Sequence, residues 1–234
     1  MSGRLRAGII AAGRGDRLRH GSAVPKPLVR VGGRTLIERV LESIGDAGAA
    51  EVVAIVNEDS LAVRDHVEAL RWIVETTPSS MHSFLRVVEM LAESGDDGPF
   101  LVSTVDTVAP NGAYATFAAE AAHHADAAVV LAVAPITDDE KPLLVRLDGS
   151  DVIALGDAAA PAEYATAGYY AVRSAILREA NAARADNVGA LRTFLNRLLA
   201  RGYPIAAVRV PLSIDVDRPT DVDAAEDLLR RVTL

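Results

Sequence analysis

The 234-residue sequence predicts an α/β fold: a mostly parallel mixed sheet, three-layered, with helices on both faces and an inserted β-hairpin. Three observations carry that expectation. In the first half, continuous apolar runs of strand length alternate with stretches of helical period. The loop after the first run is rich in glycine and cations, a composition suited to bringing backbone N–H groups close to an anion. In the second half the alternation gives way to short paired runs about a turn sequence.

Residues 7–12 are the first strand. Thr35-x-x-Glu38 is a capping box that opens a helix over about residues 35–45, with Ile37, Val40, Leu41 and Ile44 on one face. Residues 51–56 read as a strand, 61–70 as a helix and 71–75 as a short strand. Ser79 or Ser80 caps the next helix, whose core face is Met81, Phe84, Leu85, Val88 and Leu91. Residues 100–105 and 127–133 are uninterrupted apolar runs, as strands covered on both faces require. The alanine-rich residues 113–124 between them read as a crossover helix. This β-α-β-α order implies a Rossmann-like sheet.

Beyond that point, residues 142–147 and 152–155 flank Asp148-Gly149-Ser150-Asp151, a hairpin with its turn. Residues 165–172 are a further strand. Val188, Leu191, Phe194, Leu195 and Leu198 mark an amphipathic helix. Residues 205–210 and 213–216 are strands, and Thr220-x-x-Asp223 opens a final helix. Residues 157–163 read as a flexible loop. No repeat or linker interrupts the chain, so residues 1–234 are expected to form one domain.

A composition of 50% hydrophobic and 24% charged residues is that of an ordinary globule. The net charge of -8 argues against broad binding to nucleic acid or to an anionic membrane. The absence of cysteine excludes disulfides, thiolate metal sites and a thiol nucleophile. No signal-like run and no span of ~20 apolar residues is present, so a soluble, cytoplasmic protein is expected, with self-association left open. In so acidic a chain, Arg14, Arg17, Arg19 and Lys26 crowd into one loop with Gly13 and Gly15. A bound polyphosphate is the simplest reason.

Two common glycine loops do not fit. A dinucleotide fingerprint needs glycine at position 18, where Leu18 stands, and a Walker A loop needs a G-K-[ST] triplet that is absent. What remains is G-x-G-x-R-L followed by Pro25-Lys26-Pro27-Leu28. The stretch resembles the sugar-phosphate-type nucleotidylyltransferases, a GT-A-like Rossmann family. Their pattern AAG-x-G-x-R-L…PKPL-x-x-V-x-G-x-x-L-I is met by Ala11 through Leu18, then Pro25 to Leu28, Val31, Gly33, Leu36 and Ile37.

The resemblance implies transfer of NMP from an NTP to a phosphorylated alcohol, with Mg²⁺ and release of pyrophosphate. It assigns Arg17 and Lys26 to the phosphates as catalytic cations. Ala11, Ala12, Gly13, Arg14 and Gly15 would cradle the nucleotide. Asp106, after the strand at 100–105, and Asp217, in SIDVDRPTD, match the family's metal aspartates. Mg²⁺ commonly takes one or two protein carboxylates. Asp215 is a rival ligand, and Asp217 has the alternative role of a helix cap. Ser80 and His82 lie where relatives contact the base, although this chain lacks the glutamine and Gly-Thr-Ala-like segment found there in several of them. His82 therefore reads equally as a surface residue. Lys141 and Gly168, the latter in a T/A-G-x-Y segment, fall on the acceptor side, with a solvated loop lysine and plain strand packing as their alternatives.

The expected enzyme is thus a Mg²⁺-dependent nucleotidyltransferase, with a nucleoside triphosphate and a small phosphorylated acceptor as partners. A sugar 1-phosphate is the leading acceptor. Phosphocholine or another non-sugar phosphate is the alternative, and so is an inactive nucleotide-binding regulator. Pro25-Lys26-Pro27 differs from the P-K-Q usual in methylerythritol-phosphate cytidylyltransferases, and the loop differs from that of molybdopterin nucleotidyltransferases. The chain has no hexapeptide periodicity of the β-helix that larger members append.

Overall fold

The computed structural model describes residues 4–13, 15, 18, 24–67, 70–93, 95–136 and 142–232. Strand β1 (Arg6–Ala11) is followed by a small hairpin, β2 (Arg30–Val31) and β3 (Arg34–Thr35), and by helix α1 (Leu36–Asp46). Next come β4 (Glu51–Val56), β5 (Arg71–Val74), helix α2 (Ser80–Ala92), β6 (Phe100–Thr104), the two-residue β7 (Thr107–Val108) and helix α3 (Ala113–Ala121). The second half contains β8 (Val129–Pro135), the hairpin β9 (Leu144–Asp148) and β10 (Asp151–Leu155), and the long β11 (Tyr164–Val172). Helices α4 (Ala180–Ala185) and α5 (Leu191–Ala200), strands β12 (Ile205–Arg209) and β13 (Ile214–Asp215), and helix α6 (Pro219–Val232) complete it.

Nine strands form one sheet in the order β5-β4-β1-β6-β11-β8-β12-β10-β9. The first four are parallel, β11 runs antiparallel to both β6 and β8, and β12 is parallel to β8. The order of the elements thus gives the mixed sheet expected, with β9 and β10 as the inserted hairpin.

Two-residue alternation along the strands explains why both faces are covered. Val129, Leu131 and Val133 of β8 pack with Phe84 and Leu85 of α2 and with Phe194 and Leu198 of α5. The intervening Val130, Ala132 and Ala134 belong to the opposite face, with Ile37 and Val40 of α1 and Phe117 of α3. Helix α2 lies close on β1 because position 8 is glycine: a Cβ there would sit 2.1 Å from Val87 Cγ1. Helix α1 begins as its sequence dictates. Glu38 N–H donates to Thr35 Oγ1 at 3.3 Å, and Thr35 N–H donates to Glu38 Oε2 at 2.7 Å. Such a cap contributes about 1 kcal/mol.

Some local expectations fail for identifiable reasons. The helix expected over residues 61–70 is not seen among the described residues of that stretch; Glu58–His66 is an irregular 3-10 turn. Only Ser60 and Val63 in it are buried, so no apolar stripe holds a regular helix against the sheet. Helix α4 escapes a hydrophobic-period reading because its buried side chains are only Ala180 and Ala183. Residues 157–163 begin in a short 3-10 turn, Gly156–Ala159, anchored by the buried Ala159.

Candidate active site

Three charged side chains from distant parts of the chain meet beside the C-terminal ends of β1 and β6. Lys26 Nζ donates to Asp106 Oδ2 at 2.5 Å and to Asp217 Oδ1 at 2.6 Å. Each member has its own support. Lys26 opens the 3-10 turn Lys26–Leu28 behind Pro25, and its stem lies against Gly15. Gly15 has φ +65°, and a Cβ there would fall 2.6 Å from Lys26 Cβ, so glycine is needed twice over. Asp106 sits in the turn between β6 and β7, held by Val105 N–H donating to Ile10 O at 3.1 Å. Asp217 is brought alongside by the pairing of β13 with β7, extended by Val216 N–H donating to Asp106 O at 3.0 Å.

The helix-cap alternative for Asp217 passes to Asp221. Its Oδ2 accepts the N–H groups of Asp217 at 3.0 Å and of Arg218 at 2.7 Å. Asp217's own carboxylate is turned to Lys26. Asp215, two residues earlier with the buried Val216 between them, accepts from Thr107 Oγ1 at 2.9 Å instead.

The Lys26 side chain is only 8% exposed, which makes its charge state informative. Burial alone would lower its pKa, but the charges of Asp106 and then Asp217, with their hydrogen bonds, leave it raised. For Asp106, burial works to raise the carboxyl, and the Lys26 charge and hydrogen bond override it, holding it below the usual carboxylate range. Two carboxylate oxygens touching one nitrogen at these distances lie within about 5 Å of each other. They form a hard-oxygen pair already facing a cation, which is the donor chemistry a magnesium ion requires. Among the described residues there is no cluster of three or more acids or histidines, so any ion here would complete its shell with water or substrate oxygens.

This cluster forms one wall of a cleft of about 780 Å³. Ala12, Gly13 and Gly15 line it, as does Ser80, whereas Ala11 is 1% exposed and part of the core. A Cβ at Gly13 would meet nothing within 4 Å. His82 does not line the cleft; its Nδ1 is 2.8 Å from Ser79 Oγ. Ser80 Oγ accepts Leu191 N–H at 3.0 Å, joining the starts of α2 and α5. A second cavity of about 200 Å³ shares Ser80, Thr104, Asp106 and Arg192 with the first and is lined also by Gly168 and Asp215. Arg14, Arg17 and Lys141 lie outside the described residues.

Several cleft residues went unmarked by sequence reasoning. Asn57 follows β4 directly, is 3% exposed, and donates from Nδ2 to Ala12 O at 3.0 Å, pinning the glycine loop. The rule that ligands gather at strand C-termini in open parallel sheets pointed at it. Arg192 reaches both cavities from the first turn of α5, where no local motif announces it.

Comparison with known proteins places the chain in a family. The model of the family described as MobA-like NTP transferase domain matches residues 7–202. The bifunctional protein GlmU of Gloeobacter violaceus is 33% identical over 109 residues, 45% of this chain and 23% of that protein. Over that match the chain spans about a quarter of its relative's length. A 2-C-methyl-D-erythritol 4-phosphate cytidylyltransferase of Thermobifida fusca is 28% identical over 239 aligned positions, covering 97% of this chain and 94% of that one. Among solved structures, the inositol-1-phosphate CTP transferase from T. maritima superposes with a TM-score of 0.81 at 20% identity, covering 100% of this chain and 98% of that one. This likeness confirms the fold.

Proposed function

This chain belongs to the family of MobA-like NTP transferase domains, and we propose that it transfers NMP from an NTP to a small phosphorylated acceptor, with a sugar 1-phosphate as the leading candidate. An oxygen of the acceptor phosphate attacks the α-phosphorus, the bond to the bridging oxygen breaks, and pyrophosphate leaves. The observation that carries the proposal is the meeting of Lys26, Asp106 and Asp217 at one point on a cleft large enough for a nucleotide.

Such a reaction makes few demands on covalent chemistry by the protein; it needs the reactants aligned and the spreading negative charge met by fixed cations. Lys26 is fixed by its own counter-charges and stays protonated across the neutral range, so it offers that charge without reorganisation. Arg17 is assigned with it to the triphosphate on the strength of the loop pattern. The backbone of Gly13 and Gly15 would approach the nucleotide where a side chain would intrude. Asp106 and Asp217 would hold a magnesium ion, which when bound supplies Lewis-acid charge on phosphate oxygens. The full-length relative from Thermobifida fusca is by name a cytidylyltransferase, which supports CTP as the first nucleotide to test. Soluble substrates of this kind suit the cytoplasm.

The test is pyrophosphate release with a panel of NTPs against sugar phosphates and phosphocholine, with Mg²⁺ titrated. Metal-dependent release with one pairing is expected. Tight NTP binding without release on any acceptor would reassign the protein as a nucleotide-binding regulator.

A further inference from the structure

The smaller cavity carries a more specific statement about the acceptor, which rests on the nucleotidyl-transfer reading above. We infer that Asp215 selects the acceptor, binding a hydroxyl of a phosphorylated polyol, while Arg192 at the junction of the two cavities takes its phosphate.

Asp215, Val216 and Asp217 run as an extended stretch in which alternate residues share a side. Val216 is fully buried, so both acids point away from the core, Asp217 to Lys26 and Asp215 into the smaller cavity. The carboxylate of Asp215 is oriented by a relay of hydroxyls. Thr107 Oγ1 donates to Asp215 Oδ1 at 2.9 Å, and Thr104 Oγ1 lies 3.0 Å from Thr107 Oγ1. Thr107 is 2% exposed, so this support is part of the core rather than a surface accident. Position 168 must be glycine for the relay to exist. It has φ +81°, and a Cβ there would stand 1.9 Å from Thr107 Oγ1 and 3.1 Å from Asp215 Oδ1.

A carboxylate has about four acceptor sites, so Asp215 can take a ligand hydroxyl alongside its protein partners. Asp215 is itself an exposed residue, within reach of a ligand. The other polar lining favours a hydroxylated ligand over a quaternary ammonium. Thr104, Thr166, Ser80 and Tyr170 present hydroxyls, and Arg192 adds positive charge. Recognition of a trimethylammonium group calls for a cage of aromatic faces, and Tyr170 is the one aromatic residue lining this cavity among the described residues. The cavity adjoins the main cleft through Asp106 and Arg192, so a phosphate lodged at the junction would face the α-phosphorus of a nucleotide in the larger space.

The test compares the parent with Asp215→Ala and Asp215→Asn, using polyol phosphates, their monodeoxy analogues and phosphocholine as acceptors. Asp215→Ala should raise the acceptor KM roughly tenfold or more and leave the NTP KM and the Mg²⁺ dependence within about twofold. A site built around a hydroxyl penalises loss of that hydroxyl heavily. With one deoxy analogue, therefore, the variant and the parent should become equal. An equal penalty on every analogue, or a changed Mg²⁺ requirement, would overturn the assignment of Asp215. A parent that uses phosphocholine and no polyol phosphate would overturn the acceptor class while leaving nucleotidyl transfer standing. Absence of pyrophosphate with every acceptor would remove the transfer reading and this inference with it.

Discussion

The two halves of the sheet are built by different means, and the contrast explains where each kind of residue sits. From β5 to β6 the strands are parallel, each crossing over through its own segment, so their C-terminal ends collect Gly13, Asn57 and Asp106 at one edge. From β11 to β9 the sheet is mixed, and its contribution to the cleft comes from the middle of a strand, at Gly168, and from segments docked beside it. Under the proposed transfer reaction, the parallel half serves as a generic platform for phosphate. The mixed half offers a small, individually lined cavity. One half suits what all substrates share, and the other suits what distinguishes them.

Removing a shared element should do the most damage. Asp106→Asn removes a full charge from the meeting point while keeping the shape, and activity should fall on the order of 10³-fold, as loss of a major electrostatic group does. Steady-state pyrophosphate release at saturating Mg²⁺ measures it. A Mg²⁺ titration indistinguishable from the parent would break the assignment of the parallel half to metal and phosphate.

The two essential glycines sharpen the comparison at a smaller scale. Gly15→Ala strains a left-handed backbone and presses on Lys26, so it should act on the NTP KM and on kcat. Gly168→Ala strains a similar backbone but presses on Thr107 and Asp215, and should act on the acceptor KM. Changes of roughly ten- to a hundredfold are expected, each confined to its own substrate. If both variants altered the same parameter, the division of labour would be wrong.

The difference between the halves also decided what the sequence could reveal. The parallel half was legible because its signals are local: an apolar run, a glycine loop, a lysine eleven residues after Gly15, and a capping box three residues apart. Asp106 was found because it ends an apolar strand. The mixed half depends on pairings over long separations, such as β11 between β6 and β8, and no single-sequence period encodes them. The two-residue β7 is too short for any period, and although residues 213–216 read as a strand, nothing local pairs them with residues 107–108, the pairing that brings Asp217 to Asp106. Arg192 stayed hidden for the same reason, since its place depends on where α5 docks against Ser80.

The charge cluster itself makes a prediction about stability. Asp106, with its pKa lowered on folding, stabilises the fold above its unfolded value of about 3.9, and this is lost as pH falls through the lower folded value. Lys26, with its pKa raised, stabilises below its unfolded value near 10.4 and loses this as pH rises through the folded value. Between about pH 4 and pH 10 both contributions are whole. Lys26→Met leaves Asp106 with burial and a neighbouring carboxylate, both of which raise its pKa. The sign then reverses, and the variant should lose stability relative to the parent as pH rises from about 4.5 to 7.5. Urea denaturation at the two pH values measures the gap, and a pH-independent gap would mean that Lys26 contributes packing rather than charge. Added Mg²⁺ should narrow the gap at the higher pH by restoring a cation between the two acids.

The smallest expected effect separates two helix starts that look alike. Thr35 caps α1 beside the phosphate half, and its hydroxyl accepts Glu38 N–H without touching the cleft. Asp221 caps the start of α6, but the N–H groups it accepts belong to Arg218 and to Asp217, the residue that presents a carboxylate to Lys26. Thr35→Ala and Asp221→Ala should each cost about 1 kcal/mol of stability, the usual worth of a cap. Their effects on turnover should differ. Thr35→Ala should leave kcat and both KM values unchanged, because α1 is held on the sheet by Ile37, Val40 and Ile44 whether or not its first turn frays. Asp221→Ala frees the backbone that aims Asp217, so the Mg²⁺ concentration for half-maximal activity should rise several-fold at the same loss of stability. Equal Mg²⁺ dependence in the two variants would mean that the pairing of β13 with β7 alone is enough to hold Asp217 in place.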